Sequence, residues 1–346
     1  MTISNIVCIT SETENNDDIF GSSIAINNKY LAIGNYMTNR VVIYTRDNSS
    51  GQWRKTGKVS PPKDSIPEQV GYGFSEKLQL DGDFLIISSS IVQDLKKAVN
   101  PENFQKIANS SGYFHERYLV NLDTRTEAKP IGLPIEKSAG LVTFNLFSEG
   151  KIRKVTLPDR EEETFGASFA YYKNLLLVGS PSYMEERGAW LYDLDDRDRE
   201  PEKLAVPKVY MGETVALNDE FAVVGDPNFQ RGPYRLLPEN IPNRPKLTLI
   251  RAIKSGLTTT VEKIGKLSLS GDILAFMNPS SNGLVDGGIL EVHRLNKNPE
   301  SHLILRRGYV ANAFVQNGFL VTVLDNYELG SNEIHIQEIV WNKLIT

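Results

Sequence analysis

A single cysteine, Cys8, in 346 residues excludes an intrachain disulfide and any cluster of several thiolates on one ion within the chain. Nowhere do about 18 apolar residues run together, so no segment qualifies as a membrane-spanning helix. The opening stretch, MTISNIVCITSETENNDDIF, lacks the basic and then apolar regions of a secretory leader. Basic blocks are missing too. Lys and Arg number 38 against 43 Asp and Glu, a net charge of −5, which removes the electrostatic footprint that nucleic-acid binding needs. Together these absences predict a cytoplasmic protein that neither inserts into membranes nor binds nucleic acid. Cys8, flanked by Val7 and Ile9, reads as a small buried strand residue.

Signatures of catalysis are equally scarce. There is no G-x-S-x-G elbow and no P-loop, and Gly71-Tyr72-Gly73 lacks the downstream glycine of a dinucleotide fingerprint. The four histidines, His115, His293, His302 and His335, include no two at metal-ligand spacing. The reading therefore expects no cofactor and no metal. What the chain does have is apolar material for a sizeable core, 40% of its residues, and a repeat.

One phrase recurs six times: FGSSIAINNKYLAIG from Phe20, GFSEKLQLDGDFLIIS from Gly73, FGASFAYYKNLLLVG from Phe165, MGETVALNDEFAVVG from Met211, IGKLSLSGDILAFM from Ile264 and YVANAFVQNGFLVTV from Tyr309. Each is two short β runs around a polar turn such as Asn27-Asn28, Lys173-Asn174 or Asn317-Gly318, whose residues tolerate φ > 0. A third run follows a variable loop in every unit, and a fourth follows in most, which is the make-up of a propeller blade. Aligning the glycines at 21, 73, 166, 212 and 265 gives a period of a blade repeat, interrupted once by a long insertion. The prediction is an all-β chain forming a single domain over 1–346. It is a six-bladed β-propeller of four-stranded blades, closed by the N-terminal strand NIVCIT, with an insertion at 91–138 in blade two. The insertion is expected to be partly helical from the apolar spacing of Leu95, Ala98, Val99, Phe104 and Ile107.

These units resemble FG-GAP repeats, found in bacterial propellers and, more distantly, in the integrin α-subunit head. FGSSIAI…LAIG and FGASFAY…LLVG carry the likeness most clearly. The resemblance implies a calcium loop in the first hairpin, but no copy here has the D-x-N/D-x-D-G pattern. Asp81, Asp83, Asp219 and Asp272 are accordingly read as turn formers, and no structural calcium is expected.

In an antiparallel blade, loops from second to third strands share an end with the blade-to-blade links, and long loops on a rigid scaffold are where function is placed. On that end the sequence places Tyr36, Arg40, Tyr183, Glu185, Arg187, Asp226, Arg231, Tyr234, Asp286, Asp325 and Tyr327, candidates for holding a small molecule, a glycan or a protein segment. His115, Glu116, Arg117 and Tyr118 in the insertion are weaker catalytic candidates, because strand alternation would send them to opposite faces. Two functions follow as expectations. One is a recognition module binding through its loop-rich face and central funnel. The other is a cofactor-independent enzyme acting on a small organic substrate, with Tyr, Arg and carboxylate groups beneath the 91–138 insertion.

Overall fold

The computed structural model describes residues 2–3, 7–10, 20–35, 38–61, 74–90, 115–124, 127–132, 135–138, 140–148, 151–158, 165–166, 168–181, 188–196, 198–205, 211–212, 214–225, 248–261, 266–278, 289–295, 302–305, 310–326 and 331–340. Among them every regular element is a strand, and no helix is long and apolar enough to cross a membrane.

The strands form seven antiparallel sheets, the blades of a β-propeller, each assembled from neighbours in sequence. Blade one is Phe20–Ile26, Tyr30–Asn35, Arg40–Arg46 and Trp53–Val59. Blade two is Phe74–Asp81, Phe84–Ser90, His115–Asn121 and Lys129–Gly132. Blade three has three strands, Ile135–Ser138, Leu141–Ser148 and Lys151–Pro158. Blade four is Ser168–Tyr172, Leu175–Gly179, Ala189–Asp193 and Glu202–Leu204. Blade five is Thr214–Leu217, Phe221–Gly225, Thr248–Ala252 and Thr258–Val261. Blade six is Lys266–Ser270, Ile273–Asn278, Ile289–Arg294 and His302–Leu305. Blade seven is Val310–Gln316, Phe319–Asn326 and Ser331–Val340, the last also pairing with Thr2–Ile3 and Val7–Thr10. Two compact units divide the chain: Met1–Pro158 with Gln316–Thr346, and Asp159–Val315.

Seven blades replace the six expected, and among the described residues blade three has three strands and the sheet of blade seven five. The difference lies in the supposed insertion. His115–Asn121 is the third strand of blade two, with Ser88 opposite Arg117 and Ile87 opposite Tyr118. Ile135–Ser138 is the first strand of an additional blade, paired to Leu141–Ser148. GLVTFNLF, expected as blade two's third run, is the middle of blade three, and KIRKVTL is its outer strand. Only 91–114 intervenes between the second and third strands of blade two, and the segment with helical spacing lies there, outside the described residues. The expectation of a partly helical insertion over 91–138 therefore does not hold, since its second half is sheet.

The recurring phrase has a specific backbone role. Gly21, Gly166 and Gly212 adopt φ of 87°, 89° and 104°, a region that costs a residue with a Cβ heavily. In blade one this glycine sits in a bulge between Phe20 and Ser23. Blade two has the same bulge between Phe74 and Lys77, and there a positive φ of 87° belongs to Ser75. The bulge turns a nearby hydroxyl to the next blade: Ser23 Oγ donates to the carbonyl of Ser75, and Ser168 Oγ donates to that of Gly212 at 2.7 Å.

A second set of pins sits at the hairpin turns. Asn218 Oδ1 accepts from the amides of Glu220 and Phe221 at 2.9 and 2.8 Å, while its Nδ2 donates to Gly271 O at 2.7 Å in the next blade. Asn27 repeats this geometry with Lys29, Tyr30 and Gly82. Asn317 Nδ2 donates to Ile26 O at 2.8 Å, joining blade seven to blade one. Asn218→Ala removes three hydrogen bonds and strands buried partners, so stability is expected to fall by about 2 kcal/mol. A lower urea midpoint at unchanged slope reports the loss, and a change below about 0.5 kcal/mol, the range of inconsequential surface substitutions, would show that the pin is dispensable.

Apolar residues from facing blades fill the space between pins. Ala25, Ala32, Val41 and Ile43 of blade one meet Phe74, Leu85, Ile87, Tyr118 and Val120 of blade two. In the second unit, Leu177, Ala189 and Leu204 of blade four meet Ala222, Val224 and Leu249 of blade five. Blade seven docks on blade one through polar-aromatic contacts as well. The Arg46 guanidinium lies 5.2 Å from the Phe319 ring and 3.4 Å from Glu338, with Trp53 edge-on to Phe319 at 6.1 Å.

Candidate functional site

The inter-blade pins fix blade polarity within each unit. Start-of-strand residues contact start-of-strand residues, and hairpin turns contact hairpin turns, so neighbouring blades run the same way. The second-to-third connections of the pinned blades in a unit therefore leave at one end. In the first unit these are 36–39, 91–114 and 327–330, and in the second 180–188, 226–247 and 279–288, while blade three joins its second and third strands by 149–150 alone. At the opposite end the hairpins are tight, as at Lys173, Gly271 and Asn317-Gly318, all with positive φ. Length, and with it adaptable polar chemistry, is concentrated at one end of each unit.

The described flanks of that end are built to hold the connections. Asn35 Oδ1 accepts from the Thr38 amide at 3.0 Å. Asn39, at φ 52°, accepts from the amide of Phe74 at 3.0 Å and ties the loop of blade one to the start of blade two. Arg40 begins the third strand beside them and is exposed. Asp325 lies in the second strand of blade seven, opposite Asn332. Tyr36, Tyr183, Glu185, Arg187, Asp226, Arg231, Tyr234, Asp286 and Tyr327 fall outside the described residues.

His115 and Glu116 open the third strand of blade two, opposite Ser90 and Ser89. Tyr118 is buried in the core, its ring 5.4 Å from that of Phe74, and Arg117 is buried as well. Arg117 and Tyr118, both buried, are therefore not presented together on an exposed surface.

Two further polar groupings emerge that sequence spacing does not reveal. At the hairpin end of the first unit, Lys29 Nζ bonds Asp123 at 2.7 Å and Asp83 at 2.9 Å, and Tyr30 Oη donates to Asp123 at 2.8 Å. Hydrogen bonds from Lys29 and then Tyr30 hold the Asp123 carboxyl below its usual range, and those to Asp123 and then Asp83 push the Lys29 ammonium up. Lys29, Asp83 and Asp123 are about half exposed while Tyr30 is buried, so the network is a clamp at the surface between blades one and two.

The other grouping is a Glu-x-His pair on a third strand, present twice. In blade six, His293 Nε2 lies 3.2 Å from Glu291 Oε2, and the imidazole stands edge-on to Phe276 at 5.2 Å. In blade seven, His335 Nε2 lies 3.2 Å from Glu333 Oε2. There the pairing of Val7–Thr10 with Ser331–Val340 sets Cys8 directly opposite His335. The Cys8 Sγ lies 4.0 Å from Glu333 Oε2. Partial desolvation against its strand neighbours, and secondarily the Glu333 carboxylate, pushes the Cys8 thiol up. Cys8 is exposed, unlike the buried strand residue its neighbours suggested.

No family model matches the sequence, and no curated protein is similar enough to count as a relative. Solved structures do resemble the chain. A catalytically inactive virginiamycin B lyase from Staphylococcus aureus, crystallised with quinupristin, superposes with a TM-score of 0.50 at 11% identity, covering 97% of this chain and 100% of that one. The β-propeller domain of the Trilobed protease from Pyrococcus furiosus gives a TM-score of 0.36 at 12% identity, covering 89% of this chain and 79% of that one. At such identities the likeness to the lyase concerns the fold alone, a β-propeller.

Proposed function

We propose that this chain is a recognition module of the FG-GAP-like propeller type, which holds a small molecule, a glycan or a protein segment on the end where its second-to-third-strand connections emerge. The observation that carries this reading is the asymmetry between ends. Within each unit, serine and asparagine pins align neighbouring blades, the first-to-second-strand hairpins at one end are tight, and the two longest connections between strands of a blade, 91–114 and 226–247, lie at the other. A rigid frame bearing long loops on one side presents preorganised contact groups at low entropic cost. Tyr, Arg and carboxylate residues in those loops supply area and directional hydrogen bonds.

The test follows from strand register. Ser90 and His115 are paired across blade two, so a Gly-Ser turn replacing 91–114 joins them without removing a strand. In blade five Val224 pairs with Leu249, which permits the same replacement of 226–247. The intact chain and both shortened variants are screened by thermal shift against metabolites, glycans and peptides. A ligand at 100 times its Kd is expected to stabilise the intact chain by about 2.7 kcal/mol, and at least one shortened variant is expected to lose that gain. Failure of every ligand class, or a ligand that stabilises all three proteins equally, overturns the reading.

A further inference from the structure

We propose that Cys8, Glu333 and His335 form a binding site for a divalent transition ion of the Zn2+ class, and that the ion fastens the N-terminal strand Val7–Thr10 onto Ser331–Val340.

The donor set is the first argument. A thiol, an imidazole and a carboxylate offer ligand atoms that all lie within 4.8 Å of one another. Zn–S, Zn–N and Zn–O bonds of about 2.3, 2.0 and 2.1 Å at tetrahedral angles imply donor separations of roughly 3.3 to 3.6 Å. The observed 3.2 Å from His335 to Glu333 and 4.0 Å from Cys8 to Glu333 are reached from those values by small side-chain rotations. One sulfur and one imidazole select a borderline-soft ion, while a single carboxylate is too few oxygens for Ca2+ or Mg2+.

The backbone is the second argument. His335 and Glu333 are two apart on one strand and so project from the same face. Cys8 occupies the cross-strand position opposite His335. All three donors stand on paired strands rather than on loops, which limits how far they wander from a binding geometry. The exposure of Cys8 leaves room for water as a fourth ligand.

One feature tempers affinity. Coordination through Nε2 places the ring proton on Nδ1, which is buried and has no hydrogen-bond partner among the described residues. Among the described residues nothing supplies the outer hydrogen bond that usually orients a ligating imidazole, whose loss typically weakens metal sites about 10- to 100-fold. The expected dissociation constant is on the order of micromolar.

Blade six supplies an internal comparison. It carries the same Glu-x-His pair, with His302 rather than a cysteine opposite His293 in the register. Thiolate ligation is therefore the property that separates blade seven from its neighbour, and Cys8 is the only residue in the chain able to provide it.

The experiment titrates Co2+ into the reduced, intact chain. A thiolate-to-cobalt charge-transfer band is expected at one ion per chain, displaced by Zn2+ and indifferent to Mg2+ and Ca2+. Cys8→Ser abolishes the band, and Glu333→Gln or His335→Gln weakens binding at least about 10-fold. Zn2+ at 100 times its Kd shifts the folding equilibrium of the intact chain about 100-fold, read as a higher Tm that Cys8→Ser does not show. Absence of the band, its appearance at one ion per two chains, or affinity unchanged in both the Glu333→Gln and His335→Gln variants overturns the proposal. Because Cys8 is exposed, Cys8→Ser is expected to fold, which circular dichroism verifies independently of the metal.

Discussion

Gly179→Ala is expected to destabilise the chain by about 3 kcal/mol or more, the upper end of what overpacking does in a close-packed interior. Gly179 closes the second strand of blade four, opposite Ser168. Its carbonyl accepts from the amide of Gly166 at 3.0 Å, the bond that holds the bulge. A Cβ there would stand well inside van der Waals contact of two atoms, the carbonyl oxygen of Gly212 and the hydroxyl of Ser168. Those atoms are the two ends of the hydrogen bond that pins blade four to blade five. Neither can retreat cheaply, since one is backbone and the other would have to abandon its partner. Gly57 is the control. A Cβ there meets nothing within 4 Å, and Gly57→Ala is expected to change stability by no more than about 0.5 kcal/mol. Chemical denaturation of both variants measures the contrast, and equal effects would mean that the glycine at the end of the second strand is there for reasons other than close approach.

Ser75→Gly is expected to do the opposite and raise stability by about 1 kcal/mol. Ser75 is fully buried and holds φ at 87°, where a non-glycine residue bears strain of roughly 1 to 3 kcal/mol. Its Oγ has no hydrogen-bond partner among the described residues, an additional burden of similar size. Glycine would relieve both, at the cost of a more flexible unfolded chain, about 0.5 to 1 kcal/mol. Ser75→Ala separates the contributions, because it removes the unsatisfied hydroxyl but keeps the Cβ. The expected order of stability is glycine, then alanine, then the natural serine. A less stable glycine variant would indicate that the hydroxyl is bonded in solution and that the position is selected for that bond.

The Ser75 case also shows what the sequence made readable. The phrase Phe-Gly-x-Ser stands complete at Phe20 and Phe165, where a positive-φ glycine and a serine bonded to the next blade occupy it, and looser copies of the hairpin locate the other four. Where the bulge glycine is replaced, as in Phe74-Ser75, alignment drifts to the nearest glycine, Gly73. Blade three has no such phrase. Its first strand, Ile135–Ser138, is four residues long and turns at Gly140, so it offered no signal of its own. The separation of Ser90 from His115 by 91–114 then merged a true third strand with the material before it. The Cys8, Glu333 and His335 grouping is invisible to any rule of local spacing, since strand pairing alone brings residues 325 positions apart together. The strand character of the segment from His115, by contrast, was legible in its alternation.

Pairing of Val7–Thr10 with Ser331–Val340 has a consequence during synthesis. A ribosome adding about 5 to 20 residues each second needs roughly 16 to 65 s to cover the 325 positions between Cys8 and Glu333. Throughout that interval the segment around Val7, Cys8 and Ile9 has been made but its partner has not, leaving it an unpaired strand on a tethered chain. Other nascent copies on the same message carry the identical segment and, once complete, the identical acceptor edge. Exchange of this one strand between neighbouring chains is the misassembly to which the fold is most exposed, and faster translation or a sparser polysome should reduce it.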